Sequence, residues 1–151
     1  MRAARPADLD FILQLAPRFA QFGVPPWRSA AEVANGTAGQ LERAFAEQNG
    51  DSEFFIAETE EGDAAGFAWM VLVPDFYTKR RLAKLSEIAV VRNGSGAGAA
   101  LMAAGEAWAR KHACELMILN VLDSNAHARA FYVKHGFAPE HTMMTKDLRA
   151  K

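Results

Sequence analysis

Three glycines in five residues, Gly94-Ser95-Gly96-Ala97-Gly98, separate an apolar run that ends Ile88-Ala89-Val90-Val91 from a helical pattern that opens Ala99-Ala100-Leu101-Met102. The run therefore ends a strand and starts a helix, because closely spaced glycines leave a strand nothing to pack. Backbone N–H groups at a helix start are unpaired and lie at the positive end of the helix dipole. Glycines let a phosphate approach them closely. The run reads either as a phosphate-binding loop or as no more than a tight turn. Two nucleotide readings fail on their own terms. A P-loop ends in Gly-Lys-Ser/Thr, whereas this run ends Gly98-Ala99-Ala100 and supplies no lysine. Gly94, Gly96 and Ala99 fit a loose dinucleotide fingerprint, but its acidic residue belongs past the end of the following strand, and Glu115 stands at the start of that strand.

The rest of the chain supplies the frame. Met1 to Arg5 is a short edge strand. Pro6-Ala7-Asp8 starts a helix with Leu9, Ile12, Leu13 and Ala16 at helical spacing, weakened by Pro17. Ser29, with Glu32 three residues later, forms a capping box for a second helix, interrupted near Asn35-Gly36 and resuming to Asn49-Gly50. Glu53 to Thr59 and Ala65 to Val73 read as a hairpin around Glu60-Glu61-Gly62-Asp63. Leu82 to Val91 is a third strand of this group. A strong helix, Ala99 to His112, follows the glycines. Glu115 to Leu122 then reads as a buried parallel strand. Asp123-Ser124-Asn125 caps a helix through Lys134, closed by Gly136, and Thr142 to Leu148 is a last strand. This order predicts a mixed α/β or α+β sandwich around one sheet, in a single domain over residues 1–151.

A second motif is more specific. Asn125-Ala126-His127-Ala128-Arg129-Ala130-Phe131-Tyr132-Val133-Lys134-His135-Gly136-Phe137 follows an apolar strand, with Ala128, Phe131 and Tyr132 on one helical face. A strand, a Gly-x-Gly loop and a helix, followed by Asn-x-x-Ala-x-x-Phe-Tyr-x-x-x-Gly-Phe, resembles the GNAT superfamily of acyl-CoA-dependent N-acetyltransferases. The resemblance is tight from about Leu85 to Phe137 and extends loosely to both ends, including Arg5-Pro6-Ala7-Asp8. It implies a single mixed, mostly antiparallel sheet with helices on both faces and a central parallel strand pair that opens at the CoA site. It also implies that acetyl-CoA is the cosubstrate and that the acetyl group passes directly to a primary amine. Backbone groups of Ile88, Ala89 and Val90 would pair with the pantetheine arm like an added strand. The loop of Gly94, Ser95, Gly96, Ala97, Gly98 and Ala99, entered through Asn93, would hold the pyrophosphate. Asn125 would contact the cofactor near its pantetheine end, and Tyr132 would protonate the leaving thiolate. The sequence departs from the pattern at Asn93, which stands where the family usually shows Arg or Gln, and the connection from Val90 is about two residues short.

The chemistry supports these roles without the resemblance and also leaves blander ones open. A phenol, with an ordinary pKa of about 10, stays protonated at neutral pH and can serve a thiolate leaving group. Tyr132 can equally be a core aromatic. A carboxylate must take the amine's proton. Glu87 is the first candidate, on a strand where Leu85, Glu87 and Ala89 alternate onto one face, unless it is only an exposed glutamate. Asp75 and Tyr77 are weaker candidates. Phe19, Phe22, Trp27, Phe76 and Tyr77 form either an aromatic acceptor pocket or ordinary core and dimer surface. Lys79-Arg80-Arg81 is a solvated charge run or a contact for an acidic substrate. Lys111, Arg129 and Lys134 are surface charges that could meet the nucleotide phosphate. His127 and His135 belong on the exposed side of the last helix.

Composition narrows the partners. The formal net charge of -1 argues against nucleic acid. The histidines His112, His127, His135 and His141 show no metal-ligand spacing, so no metal is expected. One cysteine, Cys114, allows no internal disulfide and reads as a small buried hydrophobe, in keeping with a reduced, cytoplasmic setting. No leader pattern and no run of about 18 apolar residues is present, so no membrane partner is expected. The expected acceptor is a small-molecule or peptide amine, and the resemblance allows a homodimer. A non-catalytic acyl-CoA-binding or sensing module is the alternative.

Overall fold

A computed structural model describes residues 1–47 and 49–149. Its strands are β1 (Arg2–Ala3), β2 (Ser52–Glu58), β3 (Ala64–Pro74), β4 (Arg81–Val90) and β5 (Met117–Leu119). The helices are α1 (Leu9–Gln14), α2 (Ala30–Ala46), α3 (Ala97–Lys111) and α4 (Ala126–Lys134), with 3-10 turns at Pro6–Asp8 and Ala16–Ala20. The strands form one sheet in the order β1-β2-β3-β4-β5, antiparallel throughout except for the parallel pair β4 and β5.

Alternation along β2, β3 and β4 sends side chains to two cores. On one face Phe54, Ile56, Phe67, Trp69 and Ala89 meet Ile12, Leu15 and Ala16 of the N-terminal helical stretch and Leu41 of α2. The Phe54 and Trp69 rings stack there with centroids 5.4 Å apart, and Trp69 Nε1 donates to Ser52 Oγ at 2.8 Å, so the indole is satisfied where it is buried. On the other face Ala68, Met70, Ala83 and Leu85 meet Leu101, Met102, Trp108 and Ala109 of α3, with Phe131 and Tyr132 of α4 and Phe137 beyond it packed alongside. This is the mixed sheet with helices on both faces that the sequence resemblance implies.

Four expectations need correction. First, α2 runs unbroken through Asn35-Gly36. A mid-helix glycine costs about 1 kcal/mol, but the capping box closes as expected: Ser29 Oγ accepts from Glu32 N at 3.1 Å, and Ser29 N donates to Glu32 Oε2 at 2.7 Å. Leu41 is also fully buried against the sheet. Second, the expected strand from Glu115 to Leu122 shrinks to Met117–Leu119, because it pairs with β4 only from Ala83 to Leu85. Third, no strand forms from Thr142 to Leu148, where Met143 is 85% and Met144 90% exposed. Among the described residues no strand of the sheet pairs with this segment, and without pairing its apolar side chains find no cover. Fourth, Leu85 does not share a face with Glu87 and Ala89. The register slips between Trp69 and Met70, so that Glu87 lies opposite Trp69 while Leu85 lies opposite Met70. The extra residue, Ser86, is a bulge that reverses the alternation.

Candidate functional site

The bulge and the end of the β4–β5 pairing fall at the same place. Pairing stops at Leu85 opposite Leu119, while β4 continues to Val90 paired with β3 alone. Its free edge from Ser86 to Val90 therefore opens a wedge in the sheet. A cavity of about 1040 Å³ occupies it. One wall comes from the stretch between Arg18 and Gln40, one from β4, one from Asn120 to Leu122 and α4, and the end from the glycine loop. Ser124 Oγ donates to Gly23 O at 2.9 Å and ties the first wall to the segment before α4.

At the loop, Gly94 and Gly96 have φ of 77° and 85°, a left-handed conformation that other residues adopt only under strain. An added Cβ at either would meet no atom within 4 Å, so it is backbone conformation and not crowding that requires them. Gly96 is the N-cap of α3 and gives that helix no side-chain cap. Ser95 Oγ donates to Arg92 O at 2.9 Å and takes a long contact from Ala97 N at 3.4 Å. The amides of Gly98 and Ala99 make no hydrogen bond to another group among the described residues. The first turn of α3 thus presents free donors to the cavity, the arrangement a phosphate needs. Phe131 of α4 packs against the start of α3, where a Cβ added at Gly98 would sit in ordinary contact 3.5 Å from the ring.

Glu87 and Tyr132 meet in the wedge from opposite sides. Burial pushes the Glu87 carboxyl up to about 7, against a smaller opposing pull from Lys84. Burial and then the Glu87 charge push the Tyr132 phenol up to about 12. The phenol makes no hydrogen bond among the described residues, and no buried side-chain polar atom is left unsatisfied, so its hydroxyl opens onto the cavity. The Tyr132 ring is held by Phe131 and Phe137, at centroid distances of 5.5 and 5.9 Å. The end of α4 fixes that position. Gly136 N bonds to Val133 O and Phe137 N to Tyr132 O, both at 3.0 Å, with Gly136 left-handed as the motif requires. Asn125 caps the other end, its Oδ1 accepting from Ala128 N at 3.0 Å.

Most of the residues selected from sequence line this one cavity: Ile88, Ala89, Val90, Asn93, Gly94, Gly96, Gly98, Ala99, Asn125 and Tyr132, with Glu87. Ser95 and Ala97 of the loop do not line it. Of the aromatic group only Phe19 and Phe22 line it; Phe76 and Tyr77 are 78% and 80% exposed at the far end of β3, away from the site. Asp75 turns back on its own loop, accepting from Thr78 N at 3.0 Å, and does not reach the cavity. His135 is half-buried, with its ring 4.4 Å from that of Phe131, and does not sit on the solvent side as expected; His127 is exposed at the rim. Arg80 pairs with Glu115 and Arg129 with Asp123. Sequence reasoning missed Arg18, Arg28, Thr37 and Gln40, which line the first wall. A signal existed for part of it: Val33, Gly36, Thr37 and Gln40 recur at i, i+3, i+4 and i+7, a small and polar stripe along α2.

No helix among the described residues is long and apolar enough to cross a membrane. No group of three or more His, Cys, Asp or Glu side chains among them could hold a metal ion.

The family description Acetyltransferase (GNAT) family matches residues 17–137. A mycothiol acetyltransferase of Saccharomonospora viridis is 36% identical over 94 residues, which are 59% of this chain and 31% of the relative; the chain spans about a third of that protein. Among solved structures, a Pyrococcus furiosus protein superposes with a TM-score of 0.77 at 23% identity over 95% of both chains. An aminoglycoside N-acetyltransferase in complex with CoA superposes with a TM-score of 0.73 at 19% identity, over 99% of this chain and 93% of the other.

Proposed function

The chain belongs to the GNAT acetyltransferase family, and from that premise we propose that it moves an acetyl group from acetyl-CoA to a primary amine, with Glu87 as base and Tyr132 as acid. One observation carries the reading: a half-buried carboxyl and an unpartnered phenol face one wedge, between a free strand edge and a helix start with open amides.

The wedge suits acetyl-CoA. Backbone groups on the free edge of β4, at Ile88, Ala89 and Val90, offer an extended amide-bearing arm the pairing that β5 gives up. The amides at the start of α3 suit the pyrophosphate. Asn93 brings no charge to the loop, but Arg92 and Lys134 line the same cavity. Bound acetyl-CoA would supply the thioester carbonyl that the amine attacks.

The chain's own groups handle the protons. An amine attacks only after losing a proton, and Glu87, with a pKa raised to about 7, can accept one near neutral pH directly or through water. As the new N–C bond forms and the C–S bond breaks, the sulfur leaves as a thiolate. Tyr132 remains protonated at neutral pH and can supply the proton that the leaving sulfur takes. The proton on Glu87 then returns to solvent, and the second proton, which the nitrogen sheds on becoming an amide, passes through water to make good the one Tyr132 gave. No covalent enzyme intermediate is needed.

Two measurements test this. Calorimetric titration with acetyl-CoA should show saturable binding below millimolar concentration. A thiol-release screen over polyamines, aminoglycosides, amino acids and peptides should find at least one acceptor. Binding without thiol release on the whole panel would replace the transferase with an acyl-CoA-sensing module, the reading that the uncharged Asn93 favours.

A further inference from the structure

The cavity wall formed by the stretch between Arg18 and Gln40 is unbalanced in charge. It carries two guanidinium groups, Arg18 and Arg28, and one carboxylate, Glu32. Glu32 is already engaged. Its Oε2 accepts from Ser29 N at 2.7 Å, a bond that holds its carboxyl below the usual range with help from Arg149 and Arg28. Arg18 gives one N–H to Val91 O at 3.2 Å, which leaves the rest of its fork free. The exposed Arg28 side chain makes no hydrogen bond among the described residues. Phe19 and Phe22 stand beside them on the same wall.

We infer that the acceptor presenting its amine to Glu87 also carries an anionic group, a carboxylate or a phosphate, held by the Arg28 guanidinium with Arg18 beside it. This deepens the transferase reading and rests on it. A guanidinium offers five donors in a planar fork that matches either anion, and such charge-assisted bonds are the strong ones. A polycationic acceptor would instead bring further ammonium groups against two arginines, with Glu32 already committed to its cap.

The test uses the full chain with acetyl-CoA and follows thiol release with matched acceptors: L-phenylalanine against L-phenylalaninamide, O-phosphoethanolamine against ethanolamine, and spermidine. The anionic member of at least one pair should have a kcat/KM ten-fold or more higher, and the pair that shows it identifies the anion. Arg28→Glu should raise KM for that acceptor at least ten-fold, with kcat within about three-fold and acetyl-CoA affinity unchanged. Thiol release in which neutral acceptors or spermidine do as well would overturn the inference and leave the transferase reading standing. Absence of release from every amine would sink the transferase reading instead. A binding arm then decides the inference: the CoA-loaded chain should bind N-acetylphenylalanine at least ten-fold more tightly than N-acetylphenylalaninamide, or N-acetyl-O-phosphoethanolamine at least ten-fold more tightly than N-acetylethanolamine, and equal binding within both pairs would overturn it.

Discussion

Glu87 illustrates how one residue's chemistry depends on its neighbours. Its carboxyl titrates near 7 because β4 and the facing walls exclude water from it. If it is the base, kcat/KM for the amine rises with pH up to about 7 and then levels as far as Glu87 governs it; Glu87→Gln abolishes that limb. The same shift has a stability sign. The folded state holds this proton more tightly than the unfolded chain, so stability falls as pH rises from the ordinary carboxylate range through about 7. Glu87→Gln should therefore raise Tm at pH 8 and leave it nearly unchanged at pH 4. The gain is at most roughly 3 kcal/mol and less than that because the carboxyl is partly open to the cavity. Tyr132→Phe keeps the ring contacts to Phe131 and Phe137 but removes the proton donor. Turnover should fall by about two orders of magnitude while the acetyl-CoA dissociation constant, read by calorimetry, moves by less than about three-fold. An unchanged kcat would remove the role assigned to Tyr132.

The individual elements carry different loads. α2 depends on its cap: Ser29→Ala should cost about 1 kcal/mol in denaturant unfolding, and it shifts the wall that holds Arg28. β3 and β4 are drawn together at Gly66. A Cβ there would lie 2.7 Å from Ala89 O and 3.0 Å from Val90 Cα. Gly66→Ala should destabilise the fold by about 1–3 kcal/mol. Because the displaced strand is the one offered to the pantetheine arm, it should also weaken acetyl-CoA binding. Loss of stability with unaltered cofactor affinity would separate the strand's structural duty from its proposed binding duty.

For the whole molecule, the wedge needs the rest of the sheet to be held firmly. Arg2 contributes to this, making a forked pair to Asp8 at 2.6 and 2.8 Å and a bond to Glu58 at 2.6 Å, which joins β1, the first 3-10 turn and β2. Arg5 N also donates to Asp8 Oδ2 at 2.6 Å. The Asp8 carboxyl is held below its usual range mainly by the Arg2 bond. A lowered pKa contributes stability that is complete above the unfolded value, about 4, and is lost as pH falls through the folded one. Asp8→Asn should cost about 2 kcal/mol at pH 7, and the difference from the parent chain should shrink toward pH 3 in thermal melts.

What the sequence determined by itself lies in short-range patterns. These are the Gly94–Gly98 loop at a strand-to-helix junction, the Ser29–Glu32 box, the Gly136 stop, and the Asn125–Phe137 motif that placed Tyr132 on an inward face. Each rests on residues a few positions apart, whose geometry follows from backbone conformation and helical period. Tertiary structure alone decided the rest. The Ser86 bulge moved Leu85 off the face of Glu87, because register is set by the partner strand. The three-residue length of β5 depends on where it parts from β4, and the missing strand after Thr142 on no strand of the sheet pairing with that segment. The raised Glu87 carboxyl depends on which distant segments stand across the wedge, and so does the place of Arg28 on its lining. Desolvation and charge balance are properties of assembled walls, and no local pattern in the chain encodes them.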